Sequence, residues 1–104
     1  MITKLCNADQ LPSPGTMKSF VGRNGLQICV AALDAGTLTA FENRCPHQNA
    51  PLSAGHLEGE QVVCPYHNWR FNTVTGSGEG MADPGLKLYE IRQYDDEVFL
   101  RIDD

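Results

Sequence analysis

Along the chain, apolar and polar residues alternate in short runs separated by turn residues, and no window sustains a helical apolar stripe for three turns. Residues 4–7 and 16–21 read as strands on either side of a Pro/Gly-rich loop, Leu11-Pro12-Ser13-Pro14-Gly15. Asn24-Gly25 is a type I′ hairpin signal between residues 16–21 and 26–33. Asp34-Ala35-Gly36 makes the next turn, into a strand over residues 37–41. Near the end, residues 86–92 and 98–102 alternate around a turn at 93–97. The pattern predicts an all-β domain, a small antiparallel sandwich or barrel.

The middle breaks this rhythm. Residues 43–85 hold six glycines, four prolines, all three histidines and two of the four cysteines. A small domain with forty residues of loop needs something besides an apolar core to fix them.

Length and charge narrow the setting. The 104 residues make one domain, 1–104, with a modest core. Eight basic against thirteen acidic residues leave a net charge of −5, which argues against nucleic acid, since phosphate binding needs a basic face. Acidic Asp95-Asp96-Glu97 and Asp103-Asp104 read as a turn and a solvated tail. The longest apolar run, residues 28–33, is far short of a membrane span. Residues 1–6 show no apolar signal core, so the expected compartment is the reducing cytoplasm, where cysteines serve as thiols or metal ligands. Nucleotide-binding glycine motifs and a G-x-S-x-G elbow are both absent from the sequence.

Chemistry concentrates in two mixed pairs, Cys45-Pro46-His47 and Cys64-Pro65-Tyr66-His67, with sixteen residues between His47 and Cys64. Thiolate and imidazole are both transition-metal donors, and two loops offering one of each can enclose a small site. Zinc is the first competitor, as in a zinc-stabilised interaction module, but Cys2His2 zinc sites usually keep cysteines and histidines in separate pairs. The mixed order fits better to a 2Fe-2S centre with two cysteines on one iron and two histidines on the other. His56 has no cysteine at ligand spacing and reads as an exposed loop histidine. Cys6 and Cys29 lie in strand patterns and read as small buried apolar residues.

With these residues the sequence resembles the Rieske family, whose C-x-H-x15–17-C-x-x-H pattern it matches at Cys45, His47, Cys64 and His67. The resemblance implies antiparallel β-sheets with an inserted cluster-binding subdomain, about residues 43–85, and one 2Fe-2S cluster held by those four side chains. High-potential members carry a disulfide between the two loops; Ala50 and Tyr66 stand at its positions. They also place a serine and a tyrosine where this chain has Trp69 and Phe71, so two hydroxyl donors to cluster sulfur are missing. At ~1.5–3 kcal/mol each, their loss lowers the potential by roughly 130–260 mV. The resemblance therefore points to a low-potential soluble ferredoxin.

Rieske oxygenases add a mononuclear iron site with two histidines and a carboxylate, and only His56 is left to supply one. The chain thus reads as no enzyme itself but as an electron carrier between a flavoprotein NAD(P)H reductase and a terminal oxygenase, either a Rieske dioxygenase or a diiron monooxygenase. Cys45-Pro46-His47-Gln48 and Thr73-Val74-Thr75-Gly76 resemble ferredoxins of that kind. The alternative is the Rieske-like small subunit of an NADH-dependent nitrite reductase. By the same resemblance, partners meet His47, His67 and Gln48 at the tip, with residues 81–85 closing over the cluster.

Overall fold

A computed structural model describes residues 2–34, 36–46, 50–66, 68–78 and 85–102. Among the described residues nine strands form two antiparallel sheets: β1 (Ile2–Asn7), β2 (Thr16–Val21), β3 (Gln27–Ala32), β4 (Leu38–Glu42), β5 (His56–Glu58), β6 (Gln61–Val63), β7 (Arg70–Asn72), β8 (Leu88–Tyr94) and β9 (Glu97–Arg101). The larger sheet runs β1-β9-β8-β4-β3-β2, and the smaller β5-β6-β7. The all-β architecture with an inserted subdomain matches the expectation, and every alternating run of the sequence outside the insert became a strand within two residues of its expected ends.

Strand β3 explains the arrangement. Ile28 and Val30 point into one core with Ala40, Tyr89 and Leu100, against Leu5, Phe20 and Ile91. Cys29 and Ala31 point the opposite way, into a second core with Phe41, Cys45, Leu52, Val62, Cys64 and Phe71. A strand covered on both faces reads as a continuous apolar run, which is why residues 28–33 do not alternate. The first core lies inside the curled larger sheet, where β8 turns the corner, pairing with β4 through only Ala40↔Tyr89 and Phe41↔Leu88. The second core joins that sheet to the insert.

Two details differ from the sequence reading. Asn24 and Gly25 both take positive φ, 61° and 77°, as a type I′ turn requires, but the ladder closes at Gly22 N–H to Leu26 O, leaving a three-residue loop. The turn predicted over 93–97 is only Asp95-Asp96, with Tyr94 and Glu97 paired across it. Inside residues 43–85 the expected loops hold three strands of three residues each and a 3-10 turn, Leu52–Ala54. Three residues show too little alternation to separate strand from loop.

Candidate metal centre

Two loops closed in like manner begin at Cys45 and Cys64, which share one core. The first leaves β4 and spans residues 45–50; Cys45 N–H donates to Ala50 O at 2.8 Å. The second spans residues 64–69, and Cys64 N–H donates to Trp69 O at 2.8 Å. Each cysteine thus closes a loop onto the carbonyl five residues ahead, and proline after each cysteine stiffens the departure. The second loop is the hairpin turn between β6 and β7, whose ladder Val62↔Phe71 and Val63↔Arg70 leads straight into it. Asn68 stands there at φ 54°, a left-handed conformation that asparagine tolerates better than most residues.

Cys45 and Cys64 are both fully buried, and both are free thiols. They touch: Cys45 hydrogen-bonds to Cys64. Burial pushes the Cys64 thiol up, while the Tyr66 N–H donating to its sulfur pulls it back; the hydrogen bond and charge of Cys45 push it up again. The Cys64 thiol therefore resists ionising without a partner. A bound cation reverses this balance, because a coordinating thiol is deprotonated outright. The donor chemistry of this pair fits two ligands on one iron.

His47 and His67, the other two predicted ligands, lie outside the described residues, as do Gln48 and residues 81–84 of the predicted docking tip. Among the described residues there is no group of three metal-ligating side chains. His56 is exposed, as expected, but opens strand β5 instead of lying in a loop. Its Nε2 sits 2.8 Å from Glu58 Oε2, and Arg70 donates to Glu58 Oε1 at 2.6 Å. Hydrogen bonds from Arg70 and His56 hold the Glu58 carboxyl below its usual range. Cys6 and Cys29 are buried in the larger sheet, as predicted, and burial pushes the Cys29 thiol up to about 12. Phe71 is wholly buried in the same core as Cys45 and Cys64, so it packs the centre from below.

The Thr73-to-Gly76 run is a structural clasp. Asn72 Oδ1 accepts from the N–H groups of Val74 and Thr75, at 2.8 and 2.9 Å. Buried Thr73 bonds Glu60 O through its hydroxyl and its N–H, at 2.8 and 2.9 Å. Gly76 takes φ 82°, its carbonyl accepts from Leu86 N–H at 2.7 Å, and a Cβ on Gly85 would run into that carbonyl. Sequence reasoning missed one further pair, Asn43 and Ser53, whose side chains bridge the ends of the first loop. No residue spacing announces such a bridge.

A family model for the Rieske 2Fe-2S domain matches residues 1–94. Ferredoxin CarAc of Metapseudomonas resinovorans is 31% identical over 98 residues, covering 93% of this chain and 90% of its own. 4beta-Methylsterol monooxygenase of Methylococcus capsulatus is 55% identical over 38 residues, 36% of this chain; the match takes in 10% of that protein, so the chain spans about a tenth of its length. A solved complex of reduced oxygenase and oxidized ferredoxin in carbazole 1,9a-dioxygenase contains a chain with TM-score 0.83 and 28% identity, covering 95% of this chain and 91% of that one. A structure described as the small subunit of an NADH-dependent nitrite reductase from Mycobacterium tuberculosis superposes at TM-score 0.85 with 22% identity, covering 100% and 97%. At that identity the likeness is one of fold.

Proposed function

The chain belongs to the Rieske 2Fe-2S domain family, and from that premise we propose that it is a soluble, cytoplasmic, low-potential electron carrier, passing single electrons from a flavoprotein NAD(P)H reductase to a terminal oxygenase. The observation that carries this reading is the pair of buried, touching thiols, Cys45 and Cys64, at the roots of two like loops. Cys45 and Cys64 would hold one iron, and His47 and His67 the other. When bound, the cluster supplies a site that stores and releases one electron. The protein's own part is to keep that site dry and rigid. Phe71 and Leu52 seal it from below, and the Tyr66 N–H stabilises negative charge on the Cys64 sulfur. The Tyr66 ring, 58% exposed between two ligand positions, offers a partner an aromatic contact beside the cluster.

The match over 90% of a ferredoxin relative supports a carrier. Among the described residues no helix is long and apolar enough to cross a membrane. The partner would be a Rieske dioxygenase or a diiron monooxygenase. A second reading, a nitrite reductase small subunit, draws on the shared fold; co-purification with a large sirohaem subunit would favour it.

The test is the metal and its ligands. Anaerobically purified protein should contain two irons and two acid-labile sulfides and be coloured when oxidised, with a midpoint potential near about −150 mV. Cys45→Ser, Cys64→Ser, His47→Ala and His67→Ala should each lose or severely perturb the cluster, whereas Cys6→Ser should keep it. Stoichiometric zinc in colourless protein would overturn the reading.

A further inference from the structure

The two loops differ in what holds their ends. The second is backed by the β6–β7 ladder, so the sheet bears the cost of ordering it. Among the described residues the first has no such ladder. It leaves β4, whose neighbours are β3 and β8, and runs into the 3-10 turn Leu52–Ala54. Where a ladder rung would stand, the Asn43 side chain makes one instead. Its Oδ1 accepts from Ser53 N–H at 2.9 Å and its Nδ2 donates to Ser53 Oγ at 2.9 Å. Ser53 N–H can only donate, so this orientation of the carboxamide is the one the bonds require. A carboxamide has the donor and acceptor of a peptide group, and here it makes two bonds to one residue, accepting from the Ser53 N–H and donating to the Ser53 hydroxyl.

Each end of this rung is fixed to a different part of the molecule. Asn43 N–H donates to Gln27 O at 3.0 Å, which ties it to the larger sheet. Ser53 follows Leu52, which is fully buried in the core beneath the insert. Asn43 is itself buried, 8% exposed, so losing its partners would leave polar atoms unsatisfied. The rung therefore ties the end of β4, just before Cys45, to the core that Leu52 shares with Cys45 and Cys64.

We propose that Asn43 is a positioning residue for the cluster, acting through Ser53 to hold the first loop in register with the second. This rests on the reading of both loops as cluster-holding. Asn43→Leu keeps the volume and removes both bonds; Asn43→Asp keeps two acceptors for the Ser53 N–H and hydroxyl. Holoprotein of each variant would be challenged with an iron chelator, the bleaching rate measured, and the electron paramagnetic resonance spectrum of the reduced form recorded. Asn43→Leu should release iron about ten-fold faster or more, which corresponds to about 1.4 kcal/mol of lost restraint, with shifted g-values. Asn43→Asp should return both toward wild type, and Ser53→Ala, which spares the N–H bond, should fall between.

Leu100→Ala is the control, because it opens a cavity in the other core and touches neither loop. It should lower unfolding stability while leaving g-values unchanged and iron release slower than in Asn43→Leu at matched stability. Wild-type protein with iron and sulfide, together with an Asn43→Leu variant that matches it in release and spectrum, would overturn this proposal alone. So would equal effects of Leu100→Ala and Asn43→Leu. Should Asn43→Leu fail to fold, a Ser53→Ala variant indistinguishable from wild type would overturn it. Wild-type protein lacking iron and sulfide would overturn the cluster reading and the proposal with it.

Discussion

The larger sheet and the insert are built from the same strand geometry but stand on different supports. In the larger sheet, four of the five ladders run to five or six pairs around a core of Ile28, Val30, Ala40, Leu100 and Tyr89. The insert has three strands of three residues, and its core includes the two cysteine sulfurs assigned to iron. Short ladders bring little cooperative stability, so the insert leans on its packing and on the metal. The lesson is that one small chain can separate a self-sufficient scaffold from a site that the cofactor completes.

The sharpest test of that contrast removes the metal. Cys64→Ser should abolish iron binding and strip hydrogen-exchange protection from β5–β7, while β3, β4, β8 and β9 stay protected. Uniform loss of protection across all nine strands would show that the two regions do not differ.

Deep truncations come next. Phe71→Ala should cost about 3–5 kcal/mol of insert stability and Leu100→Ala about 2–5 kcal/mol of sheet stability. Denaturant titrations read by far-ultraviolet circular dichroism, which follows the backbone and so chiefly the longer strands of the larger sheet, and by cluster colour, which follows the insert, should separate them. In Phe71→Ala, colour should bleach before the backbone unfolds. Coincident loss of both signals in this variant would argue for a single cooperative unit.

A smaller effect follows from Cys29, which lies on β3 facing the insert. Its thiol pKa is raised from 9.0 in the unfolded chain to about 12 by burial. The folded state therefore holds a proton that the unfolded state releases, so stability is complete below pH 9 and falls as pH rises toward 12. Three units correspond to at most roughly 4 kcal/mol by pH 12. Cys29→Ala should flatten this alkaline slope, and an unchanged slope would assign it elsewhere.

Glu58 gives the smallest change. Its depressed carboxyl contributes stability above the ordinary carboxylate range, and this is lost as pH falls through its folded value. All three partners are solvent-accessible, so Glu58→Gln should only slightly reduce acid sensitivity in urea melts. A large change at neutral pH would make this surface pair a support of the insert.

What the sequence disclosed follows the same division. In β8 and β9 the inward residues Tyr89 and Ile91, and Val98 and Leu100, stand two apart beside a strong turn signal, so the pattern sufficed. His56-Leu57-Glu58 and Arg70-Phe71-Asn72 each offer a single apolar residue, and their strand state comes from partners that the pattern does not reveal. The four proposed ligands were legible because a metal requires side chains of fixed type at short, repeated spacing. Asn43 and Ser53, ten residues apart and of common type, carry no such signature; their relation exists only once Leu52 is buried. Likewise, the Tyr66 N–H reaches the Cys64 sulfur through backbone shape, which residue identity does not encode.

The clasp at Gly76 bears on the cost of loop length. Gly78 bridges to Phe71, and Leu86 returns to the Gly76 carbonyl against Gly85, so the interval of six residues between Gly78 and Gly85 begins and ends at nearly one point. Closing a loop grows costlier only logarithmically with its length: doubling this interval to twelve residues adds about 0.6 kcal/mol. A change in the length of this interval therefore costs the strands on either side little, because the backbone at Gly76, Gly78 and Gly85 already brings its two ends together.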